Sequence, residues 1–223
     1  MQGIVTGASR GLGLALTRAL VKRGWRVVVD ARDASALSQA WPNVPSDMLI
    51  LGDVADPDHR RRLIEAAGEP IDLLVNNASA LGPTPLPTLG DYPLDELRRV
   101  YEVNVLAPLA LVQLALPCLS PGARIVNITS DAAFEPYPGW GGYGSSKAAL
   151  AQITTILGAE NPGLRVYAVD PGDMRTQMQQ DAFPGEDISD RAPPEESVPG
   201  LLELIEGDLP SGSYRVRDIV ALA

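Results

Sequence analysis

The chain has 223 residues, of which 45% are hydrophobic and 21% are charged, and its formal net charge is −10. A chain of this length and composition can bury a substantial core as one α/β domain. The negative charge argues against nucleic acid as a partner, because a protein that binds phosphate backbones needs a basic face.

The sequence contains one histidine and one cysteine, His59 and Cys118. They leave no set of nitrogen and sulfur ligands for a metal ion, and a lone cysteine cannot form an internal disulfide. We expect Cys118 to be a small buried hydrophobe. His59 precedes three arginines at 60–62, which predicts a solvated helix position. No apolar run approaches the ~20 residues that span a bilayer, and the first residues do not resemble a signal peptide, so we expect a cytoplasmic protein with no membrane partner.

The N-terminal segment predicts a phosphate-binding loop. Residues 3–6 form a short apolar strand, and an apolar helix that ends at Gly24 follows. Between them lies a glycine-rich turn, where glycines allow backbone N–H groups at the helix N-terminus to approach an anion closely. The loop residues expected to contact the phosphates are Gly7, Ser9, Arg10, Gly11, Leu12 and Gly13.

The rest of the chain alternates between predicted strands and helices. Strands are predicted at 26–30, 48–51, 71–75, 123–129, 164–170 and 213–216. Helices are predicted from Asp33 or Ser35 to about Trp41, at 57–67, at 94–116, from Tyr143 onward and at 198–206. The proline-rich segment 80–88 predicts a loop, and the polar segment 171–199 predicts a loop or lid. This alternation predicts a parallel sheet with helices on both faces.

Tyr143 and Lys147 form a candidate proton-transfer pair. Their spacing of four residues places both side chains on one face of a helix. A phenol with a pKa near ~10 transfers protons poorly at neutral pH, and a neighbouring ammonium favours the phenolate and lowers that pKa. The pair is therefore suited to general acid–base catalysis. The same spacing alone also fits a partly exposed helix start.

Taken in order from Gly3 to about Val216, the motifs resemble those of the short-chain dehydrogenase/reductase family. The matching features are the glycine loop, Asp53-Val54, Asn76-Asn77-Ala78 after strand four, Asn104 in the long helix, Ser130 placed 13 residues before Tyr143, and Pro171-Gly172 with Thr176. The resemblance implies a single domain over 1–223 with a Rossmann-type doubly wound parallel sheet of about seven strands, in the order 3-2-1-4-5-6-7. The chain departs from the family at Ser79, which replaces a glycine, and in its short lid at 171–199.

The resemblance implies an NAD(P)-dependent oxidoreductase that reduces a carbonyl compound to an alcohol, or catalyses the reverse. Tyr143 would donate the proton and Ser130 would hydrogen-bond the substrate oxygen. Lys147 would lower the Tyr143 pKa and hold the nicotinamide ribose, and Asn104 would help fix a water that links Lys147 to solvent. The expected dinucleotide contacts are the glycine-loop residues together with Ala31, Arg32, Asp53, Val54, Asn77, Ala78, Ser79, Tyr143, Lys147, Pro171, Gly172, Met174 and Thr176.

The end of strand two bears on the choice between NAD and NADP. In such folds an acid at this point hydrogen-bonds the ribose 2′-hydroxyl of NAD, whereas a nearby arginine accommodates the 2′-phosphate of NADP. Side chains alternate along a strand, and by comparison with the family Ala31 falls at the selecting position. Asp30 is then expected to point away, while Arg32, with Arg10 as a second cation, binds the phosphate. We therefore predict NADP(H) over NAD(H).

The substrate pocket and the assembly are predicted more coarsely. Apolar residues at 81–86 and at Phe134, Trp140, Met174 and Phe183 suit a nonpolar or aromatic carbonyl compound. The predicted long helix is apolar on all sides from 106 to 116, so it is buried or shared with a partner. The family's habit implies a homodimer or homotetramer through the helices at 94–116 and 143–158.

Two alternative functions follow from the same residues. The loop at 7–11 also fits the Gly-x-Ser-x-Gly nucleophile elbow of a serine hydrolase, with Ser9 as nucleophile. That interpretation needs His59, and the sequence shows no acid positioned to orient it. The second alternative is a catalytically silent protein of the same fold that binds a dinucleotide to sense it. The presence of Ser130, Tyr143 and Lys147 argues against it.

Overall fold

The computed structural model describes residues 1–220. It contains one seven-stranded sheet in the order β3-β2-β1-β4-β5-β6-β7, in which every pair of neighbouring strands is parallel. The strands are β1 Gln2–Val5, β2 Arg26–Ala31, β3 Leu49–Leu51, β4 Ile71–Asn76, β5 Leu119–Ile128, β6 Arg165–Asp170 and β7 Gly212–Arg215. The predicted doubly wound sheet and its strand order are confirmed.

Helices cover both faces of the sheet. They are α1 Gly11–Lys22, α2 Ala34–Ala40, α3 Pro57–Ala67, α4 Leu94–Tyr101, α5 Ala107–Ala115, α6 Gly141–Glu160, α7 Gln177–Ala182, α8 Val198–Glu206 and α9 Val216–Val220. In β2, Val27 and Val29 pack in the core that contains residues of α1 and α8, whereas Val28 packs in the core that contains residues of α3 and α5. This alternation explains why the central strands are continuous apolar runs, because both faces are buried.

A π-helical segment, Glu102–Leu106, joins α4 to α5 and makes one helix of 25 residues from Leu94 to Cys118. By length and composition this helix could cross a membrane, which the sequence analysis did not expect. Half of its most apolar stretch is buried inside the fold. Burial of α5 in a core shared with α3 and β4 favours a core helix. Cys118, at its end, is only partly buried, and its thiol donates to Glu69 Oε1 at 3.2 Å.

The segment 171–199 is more regular than a loop. It contains α7 and a 3₁₀ turn, Pro194–Ser197, and Met174 forms an isolated β-bridge with Ala192. The Thr176 side chain caps α7 by accepting the Gln179 N–H at 3.3 Å. A helix of six residues is too short to show hydrophobic periodicity, which explains why the sequence pattern predicted only a loop or lid.

Candidate active site

The carboxyl ends of the central strands border one large cavity of about 950 Å³. Open α/β sheets bind their ligands at this edge, where the strand order reverses. The sequence-predicted site residues that line it are Gly7, Ser9, Arg10, Gly11, Leu12, Ala31, Arg32, Asp53, Val54, Asn77, Ala78, Ser79, Ser130, Tyr143, Lys147, Pro171, Gly172, Met174 and Thr176. Gly13 and Asn104 do not line it.

The glycine loop adopts a conformation that requires glycine. Gly7 and Gly11 have φ angles of +67° and +56°, in the left-handed region that L-residues rarely adopt. Gly13 has a packing role instead, because a Cβ there would lie 2.5 Å from both Asn77 Nδ2 and the Gly7 carbonyl oxygen. Arg10, the N-cap of α1, contributes no side-chain capping bond, so the first amides of this helix remain suited to an anion. The loop therefore fits the phosphates of a dinucleotide.

The end of β4 holds this loop in place. Asn77 Nδ2 donates to the carbonyl oxygens of Thr6 at 2.8 Å and Gly7 at 3.1 Å. The backbone N–H groups of Asn77 and Ala78 both donate to Thr6 Oγ1 at 3.0 Å. The side chain of Asn77 thus positions the glycine loop through its backbone carbonyls.

Asp30 and His59 lie beneath the loop, and the prediction of a solvated His59 is wrong. His59 is fully buried, and its Nε2 lies 2.8 Å from Asp30 Oδ2. Asp30 Oδ1 accepts the Gly7 N–H at 2.6 Å. His59 therefore does have an acidic partner, contrary to the sequence analysis. It still lacks the contact that a hydrolase needs, since no hydrogen bond joins His59 to Ser9 within residues 1–220.

Tyr143 and Lys147 project from α6 into the buried end of the cavity. Lys147 Nζ donates to the Ile128 carbonyl oxygen at 2.8 Å and lies 5.4 Å from the centroid of the Tyr143 ring. Burial lowers the pKa of Lys147 to about 7. Burial also raises the pKa of Tyr143 above its ordinary value, and the carboxylates of Asp170 and Asp131 add to this, whereas polar contacts from Ser79 and Ser130 act in the opposite direction.

The expected lowering of the Tyr143 pKa is therefore wrong for this structure. Desolvation of the phenol outweighs its polar contacts. Desolvation also lowers the pKa of Lys147, so the ammonium that was expected to favour the phenolate is only partly protonated at neutral pH. A tyrosine with a raised pKa stays protonated at neutral pH.

Asn104 lies in the π-helical segment and is buried, with all its side-chain hydrogen bonds made to the protein. Its Oδ1 accepts from Ser79 Oγ at 3.1 Å and from the Ala80 N–H at 2.8 Å. Its Nδ2 donates to the Ala80 carbonyl oxygen and to Ser146 Oγ, both at 2.9 Å. Ser79, where the chain departs from the family, therefore bonds Asn104 directly. The Asn104 side chain links the loop after β4 to α6, and it has no donor or acceptor left for a water.

Three acidic residues that the sequence analysis missed, Asp131, Asp170 and Asp173, line the cavity, and the charges of the first two act on Tyr143. Ser130 Oγ donates to Asp131 Oδ1 at 3.1 Å, and Tyr137 donates to the other carboxylate oxygen at 3.0 Å. Burial raises the pKa of Asp170. The sequence offered one signal for two of these residues. Asp131 and Asp170 lie next to the predicted ends of strands five and six, at the edge of the sheet where ligands bind.

Asp53, one of the expected dinucleotide contacts, already has two protein partners. Its carboxylate pairs with Arg99 and accepts the Ala55 N–H at 2.9 Å. Burial acts to raise its pKa, but these two contacts, together with the Arg99 charge, hold the pKa below its usual value. Arg10 and Arg32, by contrast, are exposed at the cavity, and neither forms a salt bridge among residues 1–220.

The apolar part of the cavity agrees only in part with the prediction. Trp140, Met174 and Phe183 line it, and the Trp140 ring centroid lies 5.7 Å from that of Tyr143 and 5.9 Å from that of Phe183. The segment 81–86 does not line it. The prediction that Phe134 lines the substrate pocket is wrong as well, because its side chain lies outside this cavity and is 63% exposed.

Comparison with known proteins finds several similar chains. The family model described as short chain dehydrogenase matches residues 3–187. Benzil reductase ((S)-benzoin forming) of Bacillus subtilis is 34% identical over 192 residues, which cover 79% of this chain and 75% of that protein. Sepiapterin reductase of Mus musculus is 34% identical over 197 residues, covering 79% and 76%. A short chain dehydrogenase from Escherichia coli CFT073, complexed with NADPH, matches with a TM-score of 0.87 at 26% identity, over 97% of this chain and 96% of that one.

Proposed function

The chain belongs to the short-chain dehydrogenase/reductase family of oxidoreductases, and from that premise we propose that it is an NADPH-dependent reductase of a carbonyl compound, which can also run in reverse. The observation that carries the proposal is the arrangement of Ser130, Tyr143 and Lys147 along the same cavity as the glycine loop. When bound, the nicotinamide supplies or accepts the hydride.

The chain's own residues supply the proton and the positioning. Tyr143, kept protonated by burial, donates its proton to the substrate oxygen as negative charge develops there. Ser130, at the end of β5, hydrogen-bonds the same oxygen. Lys147 holds the ribose hydroxyls, and Asn104 positions α6 through Ser146.

The glycine loop and two arginines bind the dinucleotide in this proposal. The amides of Gly11 and its neighbours contact the pyrophosphate, and Arg10 and Arg32 contact a 2′-phosphate. Two exposed guanidiniums at the cavity, without ion-pair partners within residues 1–220, suit a dianion, since arginine forms charge-assisted bonds with phosphate. The relative from Escherichia coli, complexed with NADPH, supports the same cofactor.

We expect Arg32→Ala to lower the ratio of kcat/KM for NADPH to that for NADH by about 10- to 100-fold, because a hydrogen bond to a charged group contributes about 1.5–3 kcal/mol. Steady-state kinetics with both cofactors measures this ratio. Arg18→Ala, at an exposed position of α1 outside the cavity, is the matched control and should leave the ratio unchanged.

Two results would contradict this cofactor assignment. A wild-type preference for NADH would restore Asp30 as the selecting residue. If the wild-type protein prefers NADPH and Arg32→Ala does not change this preference, Arg10 would be the residue that contacts the phosphate. Arg10→Ala would then lower the ratio.

The proposed substrate is a nonpolar or aromatic carbonyl compound. Trp140, Met174 and Phe183 give the cavity an apolar side next to Tyr143. The relative from Bacillus subtilis is named for the reduction of benzil, an aromatic diketone, which makes benzil and related ketones the first compounds to screen.

We further propose that the chain forms a homodimer or homotetramer through the helices at 94–116 and 143–158. Leu94, Leu106 and Ile156 are large apolar residues of these helices that remain exposed. Sedimentation velocity at micromolar concentration should give a dimer or tetramer, and Leu106→Glu should produce monomers, because a charge in an apolar interface loses its hydration. Val21→Glu, an exposed apolar position on α1, is the control. A monomeric wild-type protein would contradict the proposal.

A further inference from the structure

His59 and Asp30 form a buried pair beneath the glycine loop, and the proposed chemistry uses neither. His59 Nε2 lies 2.8 Å from Asp30 Oδ2, and the two side chains are 0% and 2% exposed. The second carboxylate oxygen, Oδ1, accepts the Gly7 N–H at 2.6 Å, and the Asp30 carbonyl oxygen accepts the Ala8 N–H at 3.0 Å. Protein donors therefore occupy both carboxylate oxygens of Asp30.

The surroundings of the imidazole make it the donor in this pair. Its other nitrogen, Nδ1, lies 3.4 Å from Nη2 of Arg62, which also donates to the Leu51 carbonyl oxygen at 3.3 Å. A guanidinium can only donate, so Nδ1 is assigned as an acceptor and Nε2 carries the proton that Asp30 accepts. Gly52 leaves the space for the ring, because a Cβ at that position would collide with Nδ1.

Asp30 nevertheless borders the cavity, directly before Ala31 and Arg32. A carboxylate at the end of this strand can accept a hydrogen bond from a ribose hydroxyl, which favours NAD. It would also repel a 2′-phosphate, because the two groups have the same sign of charge. The chain therefore carries an acid that could oppose its proposed cofactor preference, unless that acid is held elsewhere.

We propose that His59 is a positioning residue for dinucleotide selection. Its hydrogen bond to Oδ2 of Asp30 keeps the carboxylate beneath Gly7 and away from the ribose. Arg10 and Arg32 can then bind the 2′-phosphate, which favours NADP(H) over NAD(H). This inference rests on the proposed function, since it requires a dinucleotide in the cavity. It assigns the selection to a buried residue of α3 as well as to the arginines.

The test is calorimetric titration of the protein with NADP⁺ and NAD⁺, which needs no turnover. His59→Phe replaces the imidazole with another aromatic ring that has no N–H to donate to Asp30. We expect the affinity ratio of NADP⁺ to NAD⁺ to fall about tenfold, since loss of a hydrogen bond to a charged group is of that order. His59→Gln, which can still donate to Asp30, is the conservative control and should retain most of the ratio. A purely structural histidine would weaken both affinities alike and leave the ratio unchanged.

A double-mutant cycle identifies Asp30 as the group through which His59 acts. In the Asp30→Asn background, which removes the carboxylate charge, His59→Phe should no longer change the ratio. An unchanged ratio in the single variant, or an equal fall in the Asp30→Asn background, overturns the inference. If thermal unfolding shows that His59→Phe does not fold, His59→Leu replaces it in the same cycle. A wild-type preference for NAD⁺ would contradict the proposed cofactor, and the coupling between His59 and Asp30 would still decide the inference.

Discussion

Tyr143→Phe is expected to lower kcat by ~10²–10⁴-fold on the best carbonyl substrate, the range for removal of a positioned general acid. The substitution removes only the hydroxyl and keeps the ring that packs on Trp140, with its centroid 5.7 Å away. Because the proposed role of the hydroxyl is toward the substrate, NADPH affinity should remain nearly unchanged. Steady-state kinetics and a direct titration with NADPH measure the two quantities separately.

Tyr137→Phe is the matched control for this prediction. Tyr137 also lines the cavity, but its hydroxyl donates to Asp131 and has no assigned part in the chemistry. It should keep a much larger share of the wild-type rate than Tyr143→Phe. If Tyr143→Phe retained more than about a tenth of the wild-type kcat, the assignment of Tyr143 as proton donor would be wrong, since a general acid contributes at least ~10²-fold.

Lys147→Met is expected to lower both turnover and dinucleotide affinity while making the protein more stable at neutral pH. The activity falls because Lys147 holds the ribose in the proposal. The stability rises because the wild-type protein has to bury an ammonium or give up its proton, whereas methionine is apolar. The loss of the hydrogen bond to the Ile128 carbonyl oxygen offsets about 1 kcal/mol of this gain. Each kcal/mol corresponds to roughly 2–4 °C in Tm for a chain of this size.

The extra stability of Lys147→Met over the wild-type protein should depend on pH, and the lowered pKa of Lys147 sets the direction. The folded-state pKa is about 7, against 10.5 as the ordinary value. Between these pH values the unfolded chain binds a proton that the native state lacks, so wild-type stability from this group rises with pH. The advantage of Lys147→Met should therefore be greatest at and below about pH 7 and shrink toward pH 10.5.

Thermal unfolding of the cofactor-free protein from neutral to alkaline pH measures this difference. Lys22→Met, an exposed position on α1, is the control and should show no such dependence on pH. A Lys147→Met variant less stable than wild type at pH 7 would contradict the account of Lys147 as a destabilising buried cation.

The alternation of strands and helices predicted the parallel sheet, the family resemblance implied its strand order, and most of the predicted site residues line one cavity. Strands and helices alternate, and the right-handed crossover rule restricts how such a chain can wind. The polar residues that follow strands, such as Ser130, must then meet at one edge of the sheet. The bounds of α3 and α8 were predicted without error, since Pro57 begins one helix and a clear apolar run marks the other.

His59 was missed because its charged neighbours were given too much weight. Adjacent residues of a helix point about 100° apart, so arginines at 60–62 say little about the face on which His59 lies. The spacing of His59, Leu63 and Ala67 at intervals of four does place the histidine on the buried face of α3, and all three are buried. That periodic signal could have identified it.

The remaining errors concern properties that depend on tertiary packing. Phe134 follows the 3₁₀ turn at 131–133, which directs it away from the cavity, and no pattern in the sequence indicates that turn. The direction of the Tyr143 pKa shift depends on how completely the phenol is buried. A sequence can identify the two groups that interact. Whether desolvation or the neighbouring charge dominates the pKa can be judged only when the burial of both groups in the fold is known.

The most direct test of the central claim is the absorbance of reduced nicotinamide during incubation of the purified protein with NADPH and a panel of aromatic and aliphatic carbonyl compounds. We predict oxidation of NADPH that requires both the wild-type protein and a carbonyl substrate. Tyr143→Phe should slow this oxidation at least ~10²-fold. Binding of NADPH without its oxidation by any compound in the panel would contradict the claim, and would support the alternative of a catalytically silent dinucleotide-binding protein.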